Sequence, residues 1–384
     1  MAEPAAHRPP AMEADPGASA GHSVGNLAAG VAQIWASSSA GACVVPYLNL
    51  QSCNFTGLIP ASLGNLMELR HLDLSSNSFN GQLPSSLSKL HKLTHLMLEG
   101  NQLSGHVPNI FGNLRSLTVL SLGWNKFEGR LPQSIFNLTW LNLLHFPYNQ
   151  LVGDISSQVV SLPNLMKLDL SSNSLNGTVP CFANMSSLRV LSLGNNKLHG
   201  QIPSSIFEPN IDSNYSLPML TAVYLSSNNV TEFPHFFRAL GNLQHLEIFS
   251  CQMQGNVPKW LSNMGNLQYL DLSGNKLTSL KQIPWNNLFY LDLQSNMLQG
   301  PIELPPPFSS IAFLKISGNK LTGEIPLSVC NLSYLQVLDI SNNSMEGKIP
   351  QCLGNLTNKA LSVLNLNMNR FHGTIPSTLQ KEVG

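Results

Sequence analysis

Leu69-Arg70-His71-Leu72-Asp73-Leu74-Ser75-Ser76-Asn77-Ser78-Phe79-Asn80-Gly81-Gln82-Leu83-Pro84 is the stretch that decides the fold. Leu72 and Leu74 are two residues apart, so both point to one face of a short strand. Asn77 then turns the chain, its amide supplying donors and an acceptor to backbone groups that a buried turn would leave unpaired. Gly81 permits a tight backbone and Pro84 fixes an extended or helix-starting bend. Leu87 and Leu90, three apart, suit one face of a 3-10 or helical turn. One such unit cannot bury its own leucines, so it needs neighbours.

The neighbours are present. The same frame places asparagines at Asn77, Asn101, Asn125, Asn149 and Asn173, each 24 residues after the last. It continues at Asn196, Asn228, Asn275, Asn296, Asn319, Asn343 and Asn369, with Cys53 and Cys251 in the same slot of two further units. Fourteen repeats therefore run from residue 44 to 384. Stacked in parallel at about 4.8 Å per strand, they predict a curved sheet roughly 65 Å long. The length of 384 residues thus implies one solenoid where ordinary globular chains would have several domains. Between Asn196 and Asn228 the spacing stretches to 32 residues, and an insertion near 207–218 is expected to loop out. Residues 1–43 read as low-complexity and are expected to be disordered.

Charged residues make up 10% of the chain and the net charge is zero. No broad field therefore draws the protein to nucleic acid or anionic lipid. The longest uncharged region, Gly17 to Met67, is interrupted throughout by polar residues and proline, so no transmembrane segment is read. The N-terminus has no compact apolar block of the kind a signal peptide needs.

Ten repeats carry Gly-x-apolar-Pro after the ladder residue, as in Gly105-His106-Val107-Pro108 and Gly373-Thr374-Ile375-Pro376. With the 24-residue period, this resembles the plant-specific subtype of leucine-rich repeats. The stretch Leu335 to Pro376 is similar to receptor-like proteins of the disease-resistance type. The resemblance implies an α/β leucine-rich-repeat solenoid, a horseshoe with a parallel concave β-sheet and short 3-10 or helical turns on the convex side. It also implies a position outside the cell or at the plasma membrane, a peptide, protein or glycan ligand, and a co-receptor or adaptor kinase. The family has a disulfide-bonded N-terminal cap with a Trp, of which Trp35 and Cys43 are at most a remnant, and it ends in further repeats, a cap and a membrane helix. The chain is accordingly expected to be truncated, and poorly soluble by itself because open repeat faces are apolar.

Nine Asn-x-Ser/Thr sequons occur, at Asn54, Asn137, Asn176, Asn184, Asn214, Asn229, Asn331, Asn342 and Asn355. An Asn- and Ser-rich chain generates some by chance, yet their number favours glycosylation in a secretory compartment. Of six cysteines, Cys53 and Cys251 occupy ladder slots and are expected to be reduced and buried. Cys330 and Cys352 sit at different offsets from their prolines, so their Cβ vectors need not converge, and no dense disulfide framework is expected.

Gly17-Ala18-Ser19-Ala20-Gly21 matches a nucleophile elbow but has no strand before it or helix after it. His91 and His95 are four apart, yet the frame puts His91 in a loop and His95 on a strand, so a zinc pair is not expected. The aspartates of Leu-Asp-Leu recur as repeat grammar. Neither a cofactor nor an enzyme is read from the chain.

In the frame x-x-Leu-x-Leu-x-x-Asn, the non-leucine strand positions face the concave surface and form columns across repeats. The bland repeats read Asp-x-Ser-Ser, as at Asp73, Ser75 and Ser76 and again at Asp169, Ser171 and Ser172. Repeats three to five depart from this with His95, Met97, Glu99, Trp124, His145 and Tyr148, and a second departure has Tyr224, His245, Glu247, Phe249 and Tyr269. Exposed Trp and Tyr are favoured binding anchors. Two readings stand: a ligand groove centred on repeats three to five, or aromatics that only stack on one another. The leading function is ligand recognition in defence or developmental signalling with a partner kinase. The alternatives are a soluble polygalacturonase-inhibitor-like protein and a receptor-kinase ectodomain without independent function.

Overall fold

The computed structural model describes residues 45–376 apart from 183–184, 201–218, 234–236, 238–239, 280–286, 303, 305–308 and 358–359. The N-terminal segment, the inserted loop, Asn184 and Asn214 lie outside the described residues. Three-residue strands, one per repeat, join into a single 14-stranded sheet in sequence order, from Tyr47–Asn49 to Val363–Asn365. Every pairing is parallel and the leucines stay in register, Leu72 on Leu96, Leu96 on Leu120 and Leu120 on Leu144. These side chains are fully buried in one continuous core that also holds Leu87, Leu90, Phe79 and Phe127. The stretched repeat does not interrupt the sheet, since Val190–Ser192 pairs directly with Ala222–Tyr224.

The asparagine ladder is built as its chemistry predicts. Asn125 Nδ2 donates to the carbonyls of Leu98 at 2.9 Å, Gly123 at 3.0 Å and Leu122 at 3.2 Å, while its Oδ1 accepts from Leu103 N at 3.0 Å. One side chain therefore ties the turn of its own repeat to the repeat before it. Cys251 replaces this with a single Sγ contact, 3.5 Å from the Leu225 carbonyl, and is buried. Cys53 departs from expectation and is exposed. It lies in the first described repeat, where no earlier described strand covers it.

The Gly-x-apolar-Pro segments form something the sequence frame does not specify, a second, lateral set of parallel strands. Six join between Thr56–Leu58 and Ser174–Asn176, and later repeats contribute pairs. Gly81 takes φ +72° within its strand, a conformation that penalises any side chain. The proline that follows is an extended N-cap of the convex turn, as with Pro84 (φ −70°, ψ 132°) before the 3-10 helix Ser85–Lys89. One short α-helix, Leu353–Thr357, occupies the corresponding place in a late repeat. No helix among the described residues is long and apolar enough to cross a membrane.

One expectation is overturned on the convex side. Cys330 and Cys352 form a disulfide, with Cα atoms 5.7 Å apart. Their unequal offsets are absorbed because Cys330 lies in the 3-10 helix Leu327–Asn331, whereas the next repeat turns through the α-helix just after Cys352. Cys53, Cys181 and Cys251 are free, so no dense framework exists among the described residues.

Candidate functional site

The residue immediately before each ladder Asn or Cys lies in the left-handed backbone region. Ser76, Trp124, Tyr148, Ser172 and Asn342 have φ values of 53°, 48°, 52°, 53° and 49°. Glycine serves in the same slot at Gly100, Gly274 and Gly318, with φ of 66°, 63° and 67°. A bulky residue there is strained by roughly 1–2 kcal/mol. Trp124 and Tyr148 therefore sit where local backbone preference argues against them, which motivates a role for their side chains.

Their rings stack, with centroids 5.4 Å apart and planes 15° from parallel. His145 of the same neighbouring repeat also approaches Trp124, with ring centroids 5.4 Å apart and planes tilted by 50°. His145 lies two positions beyond Leu143 on the strand Leu143–His145, which aims it at the concave surface. Its Nδ1 is 2.9 Å from Ser121 Oγ and 3.4 Å from Glu99, while Nε2 faces Asp169 at 3.7 Å. Ser121 Oγ donates to Glu99 Oε2. The hydrogen bond from His145 holds the Glu99 carboxyl below its ordinary range, against the opposing effect of burial. Ser121, His145 and Asp169 have the residue types of a hydrolytic triad, but the Ser121 hydroxyl is buried and bonded to Glu99. It is not presented to a substrate, and the group acts as a polar clasp across four strands.

Of the sequence-selected residues, Glu99, Trp124, His145 and Tyr148 thus form one cluster. His95 belongs elsewhere: it adjoins His71 at 5.1 Å, and His71 stacks on Tyr47 at 4.2 Å. Burial and the neighbouring His95 push the His71 pKa down. Met97 is half-buried on the concave strand in register with Ser121.

The second aromatic cluster is larger than the sequence reading made it. His245, Tyr269, Tyr290 and Phe313 occupy one column on four successive strands. His245 and Tyr269 stack at 4.1 Å and 5°, Tyr269 and Tyr290 at 4.2 Å and 1°, and Phe313 leans on Tyr290 at 5.8 Å. Tyr224 closes the other end, 4.9 Å from His245. Phe249 is half-buried without joining this stack, its backbone N donating to Ser226 Oγ at 3.0 Å. Tyr290 and Phe313 escaped the sequence reading, although their place beside the first strand leucine is the same as that of His245.

Alongside the rings runs a charged column, Glu247, Asp271, Asp292 and Lys315. His245 Nε2 meets Glu247 at 2.7 Å, and Tyr290 Oη donates to Asp292 Oδ2 at 3.0 Å. Lys315 Nζ donates to Tyr290 Oη at 3.0 Å and lies 3.5 Å from Asp292. Burial, with the Asp292 charge second, pushes the Asp271 carboxyl up to about 6. Burial also raises Asp292, Tyr269 and Tyr290. Because the rings cover one another's faces, the column offers ring edges, hydroxyls and carboxylates to a ligand.

Comparison with known proteins is consistent with this architecture. Two family models described as leucine rich repeat match the chain, one over residues 45–103 and the other over 116–138, 164–185, 187–208, 266–286, 310–332, 334–356 and 360–381, together more than half of it. Receptor-like protein 7 of Arabidopsis thaliana is 43% identical over 136 residues, 34% of this chain and 14% of that protein. The chain spans less than a third of the length of the curated relatives it matches. Among solved structures, the plant peptide hormone receptor RGFR1 in complex with RGF2 superposes with a TM-score of 0.73 at 30% identity, over 84% of this chain and 55% of that one. The ectodomain of the Arabidopsis receptor kinase HAESA, in complex with an IDA peptide hormone, gives 0.69 at 29%, over 85% and 58%.

Proposed function

We propose that this chain, which belongs to the leucine-rich-repeat family and has the repeats of a plant receptor-like protein, is an extracellular ligand-recognition surface that binds an extended peptide across its concave sheet. The observation that carries the reading is the pair of aromatic clusters on one open, in-register face. Trp124 and Tyr148 anchor one end, and the column from His245 to Phe313 forms the other. Trp124 and Phe313 belong to repeats eight strands apart, roughly 38 Å at about 4.8 Å per strand. A peptide of about a dozen extended residues, at about 3.3 Å each, spans that distance. Peptide ligands in the RGFR1 and HAESA structures support the same class.

The extracellular assignment draws support from the Cys330–Cys352 disulfide, since such bonds persist in oxidising compartments. A partner kinase is assigned from the receptor-like-protein resemblance alone. The surface works by binding, without catalysis, in keeping with a family whose repeats serve recognition.

The test is selection of twelve-residue peptides from a displayed random library against the folded chain, followed by affinity measurement on Trp124→Gly and Tyr269→Ala variants. Weakened binding in both variants is expected. Peptides that bind both variants as tightly as the parent would remove the concave face from the function.

A further inference from the structure

Two of the described sequons share one local geometry on the convex surface. Asn137-Leu138-Thr139-Trp140 and Asn331-Leu332-Ser333-Tyr334 each start on the last residue of a 3-10 helix, Gln133–Asn137 and Leu327–Asn331. Leu138 and Leu332 follow with the same backbone, φ −84° and ψ 73°, and both are buried. Thr139 N donates back to the Asn137 carbonyl at 3.1 Å, and Ser333 N to the Asn331 carbonyl at 3.0 Å. With the leucine turned inward, the asparagine, the hydroxyl residue and the aromatic are all exposed.

The aromatics are not required by the repeat. At the same position Lys92 pairs with Glu68, Asn164 Nδ2 donates to the Thr139 carbonyl at 2.8 Å, and Asn266 Nδ2 donates to the Gly241 carbonyl at 2.9 Å. Trp140 and Tyr334 are instead 64% and 62% exposed, and among the described residues neither makes a ring contact. Four further sequons among the described residues lack this partner. Asn54, Asn176, Asn229 and Asn342 are followed three residues later by Gly57, buried Val179, Glu232 and buried Met345. Asn176 moreover lies in a paired lateral strand, and Asn342 on the concave rim with φ +49°.

We propose that Asn137 and Asn331 carry N-linked glycans whose first sugar packs on Trp140 and Tyr334. The inference rests on the extracellular reading. In the modification, Asn Nδ2 forms a bond to C1 of N-acetylglucosamine delivered on a lipid pyrophosphate. The C1–O bond to the pyrophosphate breaks, the pyrophosphate departs with that electron pair, and the displaced amide proton passes to solvent. The C–H face of the sugar then lies on the electron-rich ring face, and both lose contact with water. This accounts for two large exposed rings where Lys92, Asn164 and Asn266 stand in other repeats, and it leaves the concave face clear of these two glycans.

The full chain secreted from a glycosylating plant or insect cell tests this by peptide mass spectrometry and thermal melting. Occupancy is expected at Asn137 and Asn331. Trp140→Ala should lower the Tm of the glycosylated chain yet leave the Tm of Asn137→Gln unchanged, with Tyr334→Ala and Asn331→Gln behaving likewise. Trimming to a single N-acetylglucosamine should preserve the difference. Empty Asn137 and Asn331 beside occupied Asn54 or Asn176 overturn the proposal and leave the extracellular reading standing. An equal Trp140→Ala effect with and without the glycan overturns the packing. A chain with no occupied sequon and with Cys330 and Cys352 reduced overturns the extracellular reading itself.

Discussion

The indole of Trp124 stacks on the phenol of Tyr148 across adjacent repeats, 15° from parallel, although both residues occupy a backbone conformation that glycine adopts in three equivalent repeats. Replacing Trp124 by Gly relieves about 1 kcal/mol of backbone strain and removes a ring contact worth about 0.5–1.5 kcal/mol. Net stability should therefore change by less than about 2 kcal/mol, measured by urea melting. Affinity for a library-selected peptide should fall about 30-fold or more, the loss expected of an anchor residue. A large stability loss with unchanged affinity would make the pair structural.

Asn125 is a different kind of residue. Asn125→Ala deletes four hydrogen bonds in a nearly buried turn and leaves the Leu103 amide unpaired, while the carbonyls of Leu98, Leu122 and Gly123 keep bonds from Asn101, Asn149 and Gly100. A loss of about 3 kcal/mol is expected, at roughly 1–3 kcal/mol for each buried group left unsatisfied. Asn125→Cys should cost less, because Cys251 shows that a thiol fits the slot and keeps one contact. Equal losses for Ala and Cys, compared by thermal and urea melting, would contradict this.

Asp271 links stability to pH. Its carboxyl titrates near 6 in the fold, above an unfolded value of about 3.9. The raised value means the folded state binds the proton more tightly. The associated stability is complete below about pH 4, declines as pH rises, and is gone above about 6. The loss is on the order of 3 kcal/mol. Asp271→Asn keeps an acceptor for Ser273 without the charge, so its Tm should exceed that of the parent at pH 7.5 and converge with it near pH 4. Glu99, held low by His145, acts in the opposite sense: its contribution is present above the unfolded value and fades as pH falls through the folded one. A Tm difference between Asp271→Asn and the parent that stays constant from pH 4 to 8 would exclude the linkage.

The Cys330–Cys352 bond closes a segment of 22 residues. Chain-entropy arguments assign such a loop about 3 kcal/mol. Because a solenoid is stabilised repeat by repeat, the paired Cys330→Ser and Cys352→Ser variant should loosen the late repeats first. Hydrogen exchange should rise around Leu338 and Leu364 while Leu96 and Leu120 stay protected. Uniform acceleration along the chain would argue against that local effect.

Most of the fold was legible because the decisive features recur. Fourteen copies of the Leu72–Leu74–Asn77 frame, two with Cys in the Asn slot, fix strand, turn and core, and the sheet has fourteen strands in that order. The candidate site was legible in part. Trp124 and Tyr148 stood out against serine and glycine filler, whereas Tyr290 and Phe313 looked like ordinary strand residues until their column was laid beside His245. The disulfide was misjudged because linear offsets from proline do not show how two differently wound convex turns bring Cys330 and Cys352 together.

The sequence by itself determined the period, the parallel order and the inward leucines, since each follows from local spacing and from burial that every repeat must share. The tertiary structure alone decided which side chains meet across repeats. The stacking of His245, Tyr269 and Tyr290, the clasp of Glu99, Ser121 and His145, and the raised Asp271 depend on strands brought side by side in register. Those contacts join residues about 20 or more positions apart, and their energies come from faces and charges that exist only once the neighbouring strand has displaced water.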